Sequence, residues 1–121
     1  ALMAFRIRRA DGSALWQHAA LRSRDGRIRQ YRDEEIRFTP LRHWRSPRTG
    51  AKYPVAMQID TGTGTEKAAW TLQPLQEDQE LDSRQSTGAV YWEGAVRVLN
   101  NGQPVGRGYF EMTGYLKALK L

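Results

Sequence analysis

At 121 residues the chain has the length of one domain, and with 40% apolar residues, four Trp, five Tyr and three Phe it is too apolar for a disordered tail. A mean hydropathy of −0.69, with no apolar run near the ~20 residues that cross a bilayer, argues against membrane-spanning helices. The net charge of +6 is uneven: residues 1–50 hold twelve arginines against five acids, a balance of +7, whereas residues 51–121 hold seven bases against eight acids, or −1. Such a basic half attracts anionic surfaces in general. Its arginines are spread through alternating strand patterns, however, and so read first as a solvated sheet face. No nucleic-acid module accompanies them, and no nucleic-acid partner is expected. Without cysteine there is neither a disulfide nor a thiolate metal site, and the redox compartment stays open.

Period-two patterning dominates. Met3, Phe5 and Ile7 alternate with Ala4, Arg6 and Arg8, and Asp11-Gly12 closes a hairpin with a strand from Leu15 to about Ser23. Asp25-Gly26 turns that strand into Arg27 to Tyr31. Asp33-Glu34-Glu35 reads as a turn or one helical turn, after which Ile36, Phe38 and Leu41 resume the alternation until Pro40 disturbs it. Trp44 to Pro54, with Ser46-Pro47 and Thr49-Gly50, is expected to be a loop. Tyr53, Val55, Met57 and Ile59 line one strand face, and Ala68, Trp70 and Leu72 mark the return strand beyond Thr61 to Gly64. After Pro74 an acidic, solvated linker is expected over Glu77 to Asp82. Ala89 to Leu99 and Val105 to Tyr115 flank Asn100-Asn101-Gly102, a strong hairpin signal. Gly94, Gly106, Gly108 and Gly114 fit places where a barrel bends or another group approaches closely. Eight or nine short strands predict an all-β, antiparallel barrel or strongly curved sheet over 1–121.

Chemistry-bearing residues are few. His18 and His43 are far apart, and no G-x-S-x-G elbow accompanies them, so neither a serine-hydrolase triad nor a zinc site is supported, and no metal or cofactor is expected. Asp78, Glu80 and Asp82 alternate like oxygen ligands but lack the Gly and terminal Glu of a calcium loop. For Asp82-Ser83-Arg84 a local salt bridge and turn stands beside a substrate contact. The densest cluster is Tyr91-Trp92-Glu93 opposite Tyr109-Phe110-Glu111. In one register Glu93 faces Glu111, and mutual repulsion would keep a proton on one of them near neutral pH; a slip of one residue removes the opposition. Pairing of the two carboxylates with Arg97, Arg107 or Arg84 is the structural alternative. Trp44 and Tyr53, in the expected loop, either border a ligand at a barrel mouth or pack as core.

Three ordered strings, R-H-W-R-S-P-R-T-G-A-K-Y-P (42–54), D-Q-E-L-D-S-R-Q-S-T-G-A-V-Y-W-E-G-A-V-R-V (78–98) and G-R-G-Y-F-E-M-T-G-Y (106–115), resemble the signature stretches of the AttH-type secreted hydrolase-like family, which also contains the carotenoid 1,2-hydratases. Leu2 to Ser13 resembles an early strand of that family's second lipocalin-like domain. The resemblance implies a lipocalin-like fold, an N-terminal lipocalin-like domain of the same parent protein as partner, and a periplasmic or secreted location, with any signal upstream of Ala1. It also implies a cavity for a hydrophobic small molecule, with Tyr91, Trp92, Tyr109, Trp44 and Tyr53 as lining candidates. The alternative is a hydratase that adds water to an isoprenoid or carotenoid double bond, with Glu93, Asp82 or Glu111 as the acid. Protonating an alkene carbon needs an un-ionised carboxyl, aromatic faces and a positioned water. Whether the parent is an enzyme stays open, and the isolated domain is expected to be inactive.

Overall fold

The structure is a computed structural model, described over residues 1–117. The last four residues of the domain expected over 1–121 lie outside the described residues. Nine strands follow in chain order: β1 (Leu2–Arg8), β2 (Ala14–Arg22), β3 (Ile28–Tyr31), β4 (Ile36–Arg45), β5 (Lys52–Thr61), β6 (Ala68–Pro74), β7 (Glu80–Ser83), β8 (Ala89–Asn100) and β9 (Gln103–Thr113). Single 3-10 turns occupy Asp33–Glu35 and Gly64–Glu66. All pairings are antiparallel. β1-β2-β3 form one sheet; β4-β5-β6-β8 form the other, with β7 and β9 also on β8. The result is the expected all-β architecture in the form of a curled half-barrel.

The strand junctions follow from the turn chemistry. Asn101 (φ 49°) and Gly102 (φ 82°) both take the left-handed conformation that a two-residue hairpin turn requires. β6 and β7 share one edge of β8 end to end, with Pro74 opposite Val96 and Glu80 opposite Trp92. The segment between them swings out and returns Gln79 over Gly94, where any Cβ would meet the Gln79 amide oxygen at 1.7 Å. Gly94 is therefore a close-approach glycine.

Two expectations about the connections require correction. The loop placed at Trp44 to Pro54 shrinks to residues 46–51, because β4 continues through Arg45 and β5 begins at Lys52. Pro40 and Pro54 are tolerated because β4 is an edge strand and its ladder with β5 slips twice between Pro40 and Trp44. The acidic linker is likewise partly a strand, β7, whose carboxylates, Glu80 and Asp82, are paired with Arg48 and Arg84.

The core has two parts. Ala19, Tyr31, Ile36, Met57 and Ile59 join the sheets, while Ala51, Tyr53, Val55, Trp92 and Met112 fill the end near the 46–51 loop. β1 reverses the expected polarity. Met3, Phe5 and Ile7 are 61%, 37% and 38% exposed on the outer face, whereas Ala4, Arg6 and Arg8 are half-buried. The arginines of β1 thus do not form a solvated face. Ala4 pairs with fully buried Ala19, and that pleat turns Arg6 and Arg8 inward as well.

Candidate functional site

Between the inner face of β1 and the edge of β9 runs an open trough of about 840 Å³. Its apolar surface comes from Phe38, Met57, Ile59, Trp70, Leu72 and Phe110, carried on four strands of the larger sheet. Among the described residues no strand closes the gap; the Arg8 guanidinium crosses it and donates to the Thr113 carbonyl at 3.1 Å. The same guanidinium lies over the Tyr115 ring, 3.7 Å from its centroid. Burial pushes the Tyr115 phenol up, and the charges of Arg8 and Arg6 partly oppose that.

A second constellation lies at the 46–51 loop. The Glu80 carboxylate on β7, 0% exposed, accepts hydrogen bonds from the Ser46 hydroxyl (2.6 Å), the Thr49 hydroxyl (2.7 Å), the Tyr53 hydroxyl (2.8 Å) and Arg48 (3.3 Å). Asp78 takes both Arg48 terminal nitrogens at 2.7 and 2.6 Å, a bidentate fork. Burial alone raises Glu80, but the three hydroxyls and the Arg48 charge outweigh it, and the carboxyl is held below its ordinary value. Tyr53 is pushed far above the usual tyrosine range, first by burial and then by Glu80. A carboxylate so satisfied is a latch and not a proton donor. Since the folded state prefers the ionised form, the latch contributes above the ordinary Glu value of 4.5 and weakens as pH falls through it. Denaturation midpoints measured from pH 7 to 3 should drop in the wild type, with a distinctly shallower drop in Glu80→Gln; parallel curves would contradict the latch.

The residues singled out from sequence are dispersed. Glu93 does stand opposite Glu111, with Tyr91 and Tyr109 on the same face. Partial desolvation and then the Glu93 charge raise the Tyr109 phenol. Trp92 lies on the opposite face, 0% exposed, with its ring edge-on to Phe110 at 5.9 Å and its indole N–H donating to the Glu77 carbonyl at 2.8 Å. The sheet therefore separates the carboxylate pair from the tryptophan. Asp82 is exposed and bound to Arg84, which lowers its pKa, the opposite of what an acid donor needs. Trp44 stacks on Tyr53 at 6.2 Å, and Tyr53 meets Tyr115 at 5.8 Å, so both belong to the core and the latch. His18 lies on the outer face with Phe5 and Trp16. Among the described residues no group of three or more His, Asp or Glu could hold a metal, and no helix is long and apolar enough to cross a membrane. From sequence, Glu80 stands out only within the Asp78, Glu80 and Asp82 alternation and an acidic, solvated linker, and Arg6 and Arg8 read as part of a solvated sheet face. The adjacency of Ser46, Thr49 and Tyr53 to an acid across thirty residues leaves no periodic trace.

The model of the AttH-like family matches residues 1–115. The chain is also similar to the crystal structure of a candidate AttH from Nitrosomonas europaea, at 54% identity with a TM-score of 0.88. That match covers 94% of this chain and 34% of the other, so the chain spans about a third of the length of that relative. No curated protein matches.

Proposed function

The chain belongs to the AttH-like family, and from that premise we propose that it forms part of a cavity for a hydrophobic small molecule, with the trough between β1 and β9 as the binding surface. The observation that carries this reading is the trough itself. Its volume of about 840 Å³ falls within the range of ligand sites, ~300–1,000 Å³, and its walls are mostly apolar with a few polar groups at the rim. In the reading we adopt, an N-terminal lipocalin-like domain of the same exported polypeptide completes the environment. The outer face of β1 and β2 supports this, since Met3, Phe5, Ile7 and Trp16 (49% exposed) form an apolar surface of the kind that covers a neighbouring domain.

Acid-catalysed hydration is the less supported alternative. Glu93 and Glu111 oppose each other with their side chains on the outer face; Glu111 borders the trough only at the β9 edge, on the face opposite the Phe38, Leu72 and Phe110 surface that would hold an alkene. Heteronuclear NMR titration with a soluble linear polyene separates the two. Binding in the trough predicts shifts at the Met57, Leu72, Val96 and Val98 methyls. Shifts confined to Tyr91, Glu93, Tyr109 and Glu111 would favour the outer carboxylates, and no shifts at all would remove the ligand-binding reading from this domain.

A further inference from the structure

The trough is apolar along its length but not electrically neutral. Its boundary includes Arg6, Arg8, Arg22, Arg24 and Arg107 against a single acid, Glu111. Arg22, Arg24 and Arg107 sit at turns or on outer positions, whereas Arg6 and Arg8 are half-buried on the inward side of β1. Neither makes a salt bridge among the described residues, although Arg29, Arg42, Arg48 and Arg84 each do. Arg6 donates one hydrogen bond to the Gly12 carbonyl at 2.9 Å, and its Nε is buried without a partner. Arg8 is held by the Thr113 carbonyl and the Tyr115 ring. Both cations thus border the trough without a counter-ion among the described residues, and Arg6 also keeps a buried donor unpartnered, an arrangement that an anion would complete.

The trough also has direction. Thr113, which Arg8 touches, stands opposite Tyr91, while Asn100 stands opposite Gln103 at the other end of the same hairpin. Nine residues of β8 separate the ends, about 30 Å of strand. The Asn100 side-chain oxygen at the far end is buried and unpartnered as well, and it too borders the trough. The end at Thr113 thus offers the inward-facing guanidinium donors of Arg6 and Arg8, the opposite end has Arg22 and Arg24 at its rim, and the length between offers hydrocarbon contact.

Resting on the binding reading above, we propose that the trough takes a long-chain carboxylate, its head group held by Arg6 and Arg8 and its chain laid over Phe38, Leu72 and Phe110. A planar carboxylate matches a guanidinium fork. An uncharged hydrocarbon of the same length would leave both cations uncompensated, so the head group and not the tail sets the preference.

The test compares oleate, kept below its micelle-forming concentration, with oleyl alcohol, titrated into this chain and followed by tryptophan fluorescence. The wild type should bind oleate at least about ten-fold more tightly than the alcohol. Added salt should weaken the oleate complex and leave the alcohol complex unchanged. In Arg6→Gln/Arg8→Gln the preference should fall below about three-fold, with alcohol affinity retained. Should that variant not fold, Arg6→Gln with Arg8→Lys keeps the cation at Tyr115 and should still lose most of the preference. Equal affinity for oleate and alcohol in the wild type, or an undiminished preference in the variants, overturns the carboxylate assignment while leaving a hydrophobic cavity in place. Failure of either amphiphile to bind overturns the cavity reading as well.

Discussion

Glu80→Ala is expected to destabilise the fold by about 3–5 kcal/mol, because it leaves a buried network without its acceptor. Three hydroxyls, of Ser46, Thr49 and Tyr53, point at that carboxylate, and Ser46 and Tyr53 are themselves buried. Alanine would leave all three donors unpaired in a space too tight for bulk water to repair. The network also joins segments far apart in the chain. Ser46 and Thr49 belong to the 46–51 loop, Tyr53 is the second residue of β5, and Glu80 begins β7, so its removal frees the loop from the sheet. Urea denaturation of the wild type, Glu80→Ala and Tyr53→Phe checks this. Tyr53→Phe removes one hydrogen bond to a charged acceptor and should cost about 1.5–3 kcal/mol. A Glu80→Ala variant within about 1 kcal/mol of the wild type would show that the cluster contributes little.

Trp92→Ala should cost a similar amount, about 3–5 kcal/mol, by a different route. The indole is fully buried among Tyr53, Val55 and Met112, and its removal leaves a cavity that strands on both sides of β8 cannot collapse to fill. It also deletes the hydrogen bond to the Glu77 carbonyl that holds the segment leading into β7. Trp92 and Glu80 are direct partners across the β7–β8 ladder. The double variant should therefore fall short of the sum of the single losses, since once β7 has detached the second change has less to break. Strict additivity in a double-mutant cycle would mean that β7 is held independently at the two points.

Much of the strand order was legible because alternation and turn residues are local properties. Asp11-Gly12, Asp25-Gly26 and Asn101-Gly102 all turn the chain where their residue types predict, since only small or left-handed-tolerant residues fit there. The AttH-type resemblance read from the three sequence strings agrees with the family match over residues 1–115. Facing was harder to read. On β1 the apolar residues suggested the core side, yet the small Ala4 packs inward opposite Ala19 and carries Arg6 and Arg8 with it. Period two identifies a strand but does not say which side is wet when both faces meet protein or a cleft. The Glu93–Glu111 pairing depends on a single irregularity. The tight turn alone, with Asn100 opposite Gln103, would put Glu93 across from Phe110, and the extra residue Val105 on β9, opposite the Val98–Leu99 step, brings Glu111 into place. Nothing in the residue types at that bulge announces it. Asp78 and Glu80 resembled solvated charges because their partner, Arg48, lies thirty residues away, and charge patterning carries no information at that separation.

The gap between β1 and β9 also bears on how this chain behaves at high concentration. Among the described residues each of these strands is paired on one side only, by β2 and by β8, so two rows of main-chain donors and acceptors border the trough. Unprotected rows of this kind template strand addition between molecules, the first step towards ordered aggregates. Charges that point inward from an edge strand oppose that growth, because a docking strand would bury them without compensation. Arg6 and Arg8 occupy such positions on β1, and Pro104 on β9 offers no N–H to an incoming strand. The chain therefore carries its protection against self-association in the same side chains that border its trough, and a variant stripped of those arginines trades a more apolar groove for a stickier edge.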